Sequence, residues 1–320
     1  MGNTLLIAKK EFNDAVKSRL FLVIFLILIF LSATSIIVSS VLFQGKVTDY
    51  QNTVQTMKAS GQILQASTPQ FSPLKLLRGF IDYLEIIGAI LGIVLGFYSI
   101  SKEKNKKIMQ LLFSRPIKKS QIILGKILGN LFLITLTVLS VGIISIFSLI
   151  FIGHASITGT EFLKFGIVMV LSIFYIIMFF CLSSALSIRM KTIHHALVIC
   201  FAIWLVFVLI LPQIGDTMDP DNQVPGGFFH GMNFNKTTEY AIMAHFRVYE
   251  TVRNDIEVMS VTKHYERASF GMLGIKDQYN NLPILDIFSQ LWVNFLVVII
   301  FLILMITLDY YIIYKEEIYS

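Results

Sequence analysis

Six long runs of apolar residues dominate the chain, at approximately Leu20–Phe43, Phe80–Ile100, Ile127–Ile152, Leu163–Ile188, Ala196–Ile214 and Ile287–Leu308. A hydrocarbon core of roughly 30 Å takes about 20 helical residues to cross, and each run is close to or above that length. In lipid a helix satisfies its own backbone within one segment, so the pattern predicts an all-α integral membrane fold with six transmembrane helices.

The polar segments between the runs set the organisation. Residues 1–19 precede span 1, and 4–19 read as an amphipathic interfacial helix. Leu5, Ala8, Phe12, Ala15 and Val16 fall on one face, with Lys10, Glu11, Asn13, Asp14 and Lys17 on the other. Spans 1–5 occupy 20–214, interrupted by an outer loop at 44–79 and a basic loop at 101–126. Residues 215–286 form a second, larger outer loop, and 287–320 hold span 6 and a tail. The larger loop opens on turn formers (Gly215, Pro220, Pro225, Gly226, Gly227). It continues in a helical stripe of Ile242, Phe246, Tyr249, Val252, Ile256 and Met259, with Arg253 and Glu257 paired on the polar side. Such a stripe packs on the 44–79 loop, on a second copy or on the outer membrane surface, and the loop reads as a cap over the spans.

Composition agrees with the pattern: 55% of residues are hydrophobic, 14% are charged, and mean hydropathy is +0.74. The net charge of +6 does not point to nucleic acid, because the cations sit in short loops. Lys9, Lys10, Lys17 and Arg19 precede span 1, eight Lys and Arg fall in 101–126, and Arg189 and Lys191 follow span 4, while 153–162 has none. By the positive-inside rule both termini are cytoplasmic, as expected of a multi-pass plasma-membrane protein. Cys181 and Cys200 lie inside spans and read as small apolar packing residues.

Span 2 carries the clearest side-chain pattern. Gly88, Gly92 and Gly96 recur every fourth residue and predict a face for close helix packing. Continued outward, that face meets Glu85, Asp82 and Arg78, with Glu85 pointing into the protein and Arg78 and Asp82 spaced as an ion pair. These three are a candidate gate, or an interfacial salt-bridge cluster. Otherwise the span interiors offer almost no ionisable residue, which disfavours an ion-coupled carrier. Gly125-Lys126 lacks the rest of a phosphate-binding loop, and no hydrolase or metal motif appears, so the chain is not expected to be an enzyme or to hold a cofactor.

Between spans 2 and 3, Ile108, Leu111 and Leu112 make a short apolar face flanked by basic residues and ended by Pro116. That suits either a helix docking on a soluble partner or a basic loop that enforces topology. Glu103, Leu111, Leu112, Ser114, Arg115, Pro116, Ile117, Lys118 and Gly125-Lys126 match the corresponding loop of ABC-2 (type V exporter) permease subunits, in the branch of the gliding-motility and nitrous-oxide-reductase-maturation permeases. Lys9-Lys10-Glu11-Phe12, Lys17-Ser18-Arg19 and Ile210-Leu211-Pro212 also match, so the resemblance spans essentially the whole chain. Ile108-Met109-Gln110 departs from it, standing where the family usually has Gly-Thr-Leu.

The resemblance implies an ATP-driven permease, in the exporter class. A separate ATPase subunit, holding the ATP and magnesium, would dock through a coupling helix at Glu103, Ile108, Leu111, Leu112, Arg115 and Pro116 and through the N-terminal helix. A second permease chain, identical or paralogous, would complete the pathway within membrane lipid. The rival reading from the residues is a membrane scaffold whose outer loops bind a protein.

Overall fold

The computed structural model describes residues 2–59, 73–105, 118–218, 228–232, 235–280 and 282–315. Helix α1 (Gly2–Val16) leads into span 1, α2 (Arg19–Ala59). Span 2 opens with a 3₁₀ turn at Pro73–Leu77 and continues as α3 (Arg78–Tyr83), a π turn at Leu84–Gly88 and α4 (Ala89–Asn105). Span 3 is α5 (Lys119–Phe151) and span 4 is α6 (Gly159–Arg189). Span 5 joins α7 (Ile193–Trp204) to α8 (Leu211–Met218) through a π turn at Leu205–Ile210. Four helices follow: α9 (Phe228–Gly231), α10 (Lys236–His245), α11 (Arg247–Val258) and α12 (Val261–Met272). Span 6 is α13 (Ile284–Lys315). Each predicted apolar run lies in a helix long and apolar enough to cross a membrane. Below, the near side is the one carrying α1 and the far side is its opposite.

Span 4 is the hub. In its most apolar window 72% of residues are buried, against 17% in spans 5 and 6. Span 2 lies along it through the glycine row. A β-carbon at Gly92 or Gly96 would collide with the carbonyls of Ile176 and Phe180, and one at Gly88 would stand 3.0 Å from the Ile176 side chain. With the backbones this close, the Ser183 hydroxyl donates to the Ile93 carbonyl at 2.7 Å.

Both π turns have partners outside their own helices. A π turn shifts carbonyls out of the regular ladder, and the Glu85 carbonyl in span 2 accepts the Tyr175 hydroxyl at 3.0 Å. In span 5 Pro212 lacks an N–H to donate, and the nearby Phe207 carbonyl accepts the Ser260 hydroxyl.

Two far-side segments depart from expectation. Span 1 does not end at Phe43, because residues 44–59, expected in a loop, continue its helix. The stretch has one helix breaker, Gly45, and the hydroxyls of Thr48, Thr53 and Thr56 each bond a carbonyl four residues back. Residues 60–72 lie outside the described residues.

The stripe from Ile242 to Met259 is broken at Phe246, and Val252 and Met259 are exposed. Helix α11 instead turns its charged side inward, where Glu257 fits over Gly215 of α8. Burial is tolerable there because the charges compensate. Arg253 pairs with Glu250 at 3.0 Å and Glu257 at 3.8 Å, and Arg267 donates to Glu257 at 2.7 Å. The buried element is the next helix, α12, wedged between the far ends of spans 2, 4 and 6. Its Tyr265 ring stacks on Tyr175 at 4.4 Å, and its His264 bonds Asn294 of span 6 at 2.8 Å. A Schellman motif ends α12, with Gly274 at φ +64° and Ile275 N–H bonded to the Phe270 carbonyl.

Gly92→Leu therefore forces spans 2 and 4 apart. Overpacking of this kind costs about 1–3 kcal/mol, so thermal unfolding in detergent falls by several degrees. Gly166→Ala, which meets open space, leaves the transition unchanged; equal behaviour of the two variants would contradict the packing.

Candidate functional site

Where α1 crosses the near ends of spans 2 and 3, three helices bring charges together in the interior. The close approach is set by Gly125 and Gly129 of span 3. A β-carbon at Gly125 would stand 2.7 Å from the Ile7 side chain, and one at Gly129 would strike the Ala8 carbonyl. Phe12 rests against Phe132 with ring centroids 5.2 Å apart. The face of α1 turned to span 3 thus carries Ile7, Ala8, Glu11 and Ala15, while Leu5 and Leu6 are exposed. This differs from the simple apolar-in helical wheel, because Glu11, expected on the solvated side, is buried.

Glu11 is buried because Lys126 of span 3 is there to meet it. The Lys126 ammonium lies 2.9 Å from Glu11 Oε1 and 2.9 Å from Glu103 Oε2, and donates to the Ser99 carbonyl at 2.8 Å. Its contact with Glu103 is an ion pair by distance, set off the line of a hydrogen bond. Glu11 Oε2 accepts the Ser99 hydroxyl at 2.8 Å, and Lys10 donates to Glu103 Oε1 at 2.6 Å. Around this balanced group of two carboxylates and two ammoniums, Lys102 pairs with Asp14 at 2.8 Å. Burial opposes the charge on Lys10, but the hydrogen bond and charge of Glu103, with Glu11 and Asp14, outweigh it and raise its pKa above the ordinary lysine value.

Glu103, one of the residues expected to touch a partner, is therefore only 3% exposed and engaged with α1 and span 3. Its neighbour Lys104 reaches another way, donating to the Ser187, Ile188 and Met190 carbonyls at 3.1, 3.1 and 2.5 Å. Those carbonyls end span 4, where a cation complements the helix C-terminus. Two adjacent residues thus tie the close of span 2 to α1, span 3 and span 4. The chain then enters 106–117, and Lys118 and Lys119 open span 3. Ile108, Leu111, Leu112, Arg115 and Pro116 lie outside the described residues.

The candidate gate sits at the far end of span 2. Arg78 Nε lies 3.9 Å from the half-buried Asp82, and the exposed guanidinium stands over the Phe270 ring at 5.5 Å. Glu85 is buried; its carbonyl accepts the Tyr175 hydroxyl, and the charges of α12 stand near its carboxyl. Facing it, Lys263 pairs with Glu266 at 2.9 Å and Asp216 at 3.3 Å. Desolvation lowers the Lys263 pKa, but Glu266, Asp216 and Glu257 more than restore it, and the net shift is upward. Raised pKa values mean that the lysine pairings hold throughout the neutral range and are lost only as pH climbs past the ordinary lysine value near 10.4.

The sequence pattern missed the buried lysine and acids of the span ends. Lys126, Glu103 and Asp309 are all under 4% exposed inside membrane-crossing helices, so the spans are less free of charge than the apolar runs suggest. The signal that could have exposed Lys126 was its place between two glycines of one helix face. Asp309 lies one residue past the last apolar run and is buried. Among the described residues, no group of His, Cys, Asp and Glu is placed to hold a metal ion.

Over residues 5–318 the chain matches the family profile described as "ABC-2 family transporter protein". The chain belongs to the ABC-2 transporter family. A search of curated proteins finds no match. Membership makes this ABC-2 protein a membrane component of an ABC transporter rather than a catalytic subunit.

Lys126→Met leaves the Glu11 and Glu103 carboxylates buried without their shared cation. Breaking a buried pair in this way costs about 3–5 kcal/mol, read as a lower unfolding midpoint in detergent. Adding Glu11→Gln recovers part of the loss; additive losses would show that the two side chains are not coupled.

Proposed function

We propose that this ABC-2 chain is the permease subunit of an ATP-driven exporter whose energy comes from a separate ATPase subunit. In this reading the near side is cytoplasmic, both termini lie there, and the complex sits in the plasma membrane. The ATPase, which holds ATP and magnesium, docks on the 106–117 segment through Ile108, Leu111, Leu112, Arg115 and Pro116. A second permease chain, identical or paralogous, completes the pathway.

The supporting observation is the double tether at Glu103 and Lys104. A segment that only enforced topology would need no specific hold on its neighbours. Here the last turn before it is bonded to α1, span 3 and span 4 at once. A displacement of the segment by a nucleotide-driven partner is passed to three helices through short, charge-assisted bonds. Span 4 carries it to the far side along the glycine row of span 2, where Tyr175 contacts the Glu85 carbonyl and Thr262 of α12. The Arg78, Asp82 and Glu85 group is then the far-side gate, opened as α12 shifts against span 2. Binding energy at one end biases a two-state arrangement at the other.

Leu112→Asp and Arg115→Glu each weaken co-purification with the ATPase by at least about tenfold, as expected for losing a well-buried interface contact, while membrane insertion and the unfolding midpoint are unchanged. Full retention of the ATPase by both variants would refute docking at this segment.

A further inference from the structure

Two cavities lie along spans 4 and 6, and neither is lined by a residue of the ion cluster or of the gate. One is a groove of about 470 Å³ facing the bilayer, floored by Leu163, Gly166, Val170 and Phe174 of span 4 and walled by Phe295 and Ile299 of span 6. Its lining is apolar. A β-carbon at Gly166 would meet no atom within 4 Å, so span 4 leaves open space there. The other is a pocket of about 560 Å³ at the far-side ends of the same helices, where Thr158, Thr160, Glu161, Lys164 and Asn280 contribute polar groups. Lys164 sits among them, donating to the Leu282 carbonyl at 2.8 Å. Glu161, one turn away, is fixed by Thr158 in the capping box that begins span 4. Leu163 lines the groove and its neighbour Lys164 the pocket.

We infer that this pair of cavities is a binding site for one phospholipid of the far-side leaflet, its headgroup in the polar pocket and one acyl chain in the groove. Three features fix the class of ligand. The groove lies within two membrane-crossing helices, where only hydrocarbon or another helix is available to fill it. An apolar groove with a polar pocket on the same two helices matches a single amphiphile, apolar along one end and polar at the other, better than a helix. The polar end pairs an ammonium with a carboxylate and two hydroxyls, complementary to a headgroup carrying a phosphate beside a cationic amine. The site needs no ATPase and stands apart from the docking segment.

The test uses the full chain in phosphatidylcholine nanodiscs containing a phosphatidylethanolamine with a diazirine midway along one acyl chain. After irradiation, adducts are mapped by mass spectrometry and normalised to those on the exposed side of span 3 (Leu136, Ile143, Phe147). Adducts should concentrate on 163–174 and 295–299. Gly166→Phe, which enters open space and leaves the unfolding midpoint unchanged, should cut them roughly tenfold, the effect of excluding two methylenes from an apolar site, without altering span 3. Lys164→Met should reduce labelling by the phospholipid to that given by a diazirine diacylglycerol lacking the phosphate. Labelling no denser than on span 3 and indifferent to Gly166→Phe would overturn the site. So would protection of the groove accompanied by cross-links between two copies of the chain, since a second protein helix would then be the occupant. Equal labelling by the phospholipid and the diacylglycerol in the unmodified chain would overturn the headgroup assignment.

Discussion

The arrangement of the near side depends on one ammonium group. Lys126 lies 3% exposed between the carboxylates of Glu11 and Glu103, and none of the three could be buried there without the others. Buried ion pairs add little net stability over an apolar core, but the loss of one partner is expensive. The consequence is mutual dependence more than strength. Helix α1, the end of span 2 and the start of span 3 occupy one relative placement, made possible by the two glycines of span 3, where a β-carbon would collide with α1. Lys104 extends that body to the last carbonyls of span 4.

The far side is built differently. There the contacts are aromatic stacking, hydroxyl bonds to carbonyls loosened by π turns, and a set of partly exposed ion pairs. Between the two ends run backbones too close for any side chain to slide between them, at Gly92 and Gly96. A packed interface of this kind is stiff along its length. On the proposed reading, displacement applied at the charged end would be expressed at the aromatic end. This is a physical basis for placing docking at one face and gating at the other.

Most of the fold was legible in the sequence, because the bilayer imposes length and composition on each span. The glycine row and the inward Glu85 were legible too, since four-residue spacing places them on one helix face. Three things were not. A polar helix beyond Phe43 has no apolar signature to distinguish it from a loop. The stripe from Ile242 to Met259 suggested that α11 buries its apolar side, yet the compensating charges of Glu250, Arg253, Glu257 and Arg267 let the opposite face turn inward. Glu11 and Lys126 are 115 positions apart, so their pairing is a property of the tertiary structure alone. Local amphipathicity assigned Glu11 to water for want of its partner.

The most direct measurement joins α1 to span 3 covalently. Phe12→Cys with Phe132→Cys places two thiols where two rings of α1 and span 3 already meet, in a chain whose buried Cys181 and Cys200 are changed to alanine. ATP hydrolysis by the complex with its ATPase, and its dependence on the permease, are then compared before and after oxidation. If the ion cluster already makes these helices one body, the cross-linked complex works as the reduced one does. Activity that is lost on oxidation and regained on reduction would show that α1 and span 3 move apart during the cycle, contrary to a rigid near-side unit.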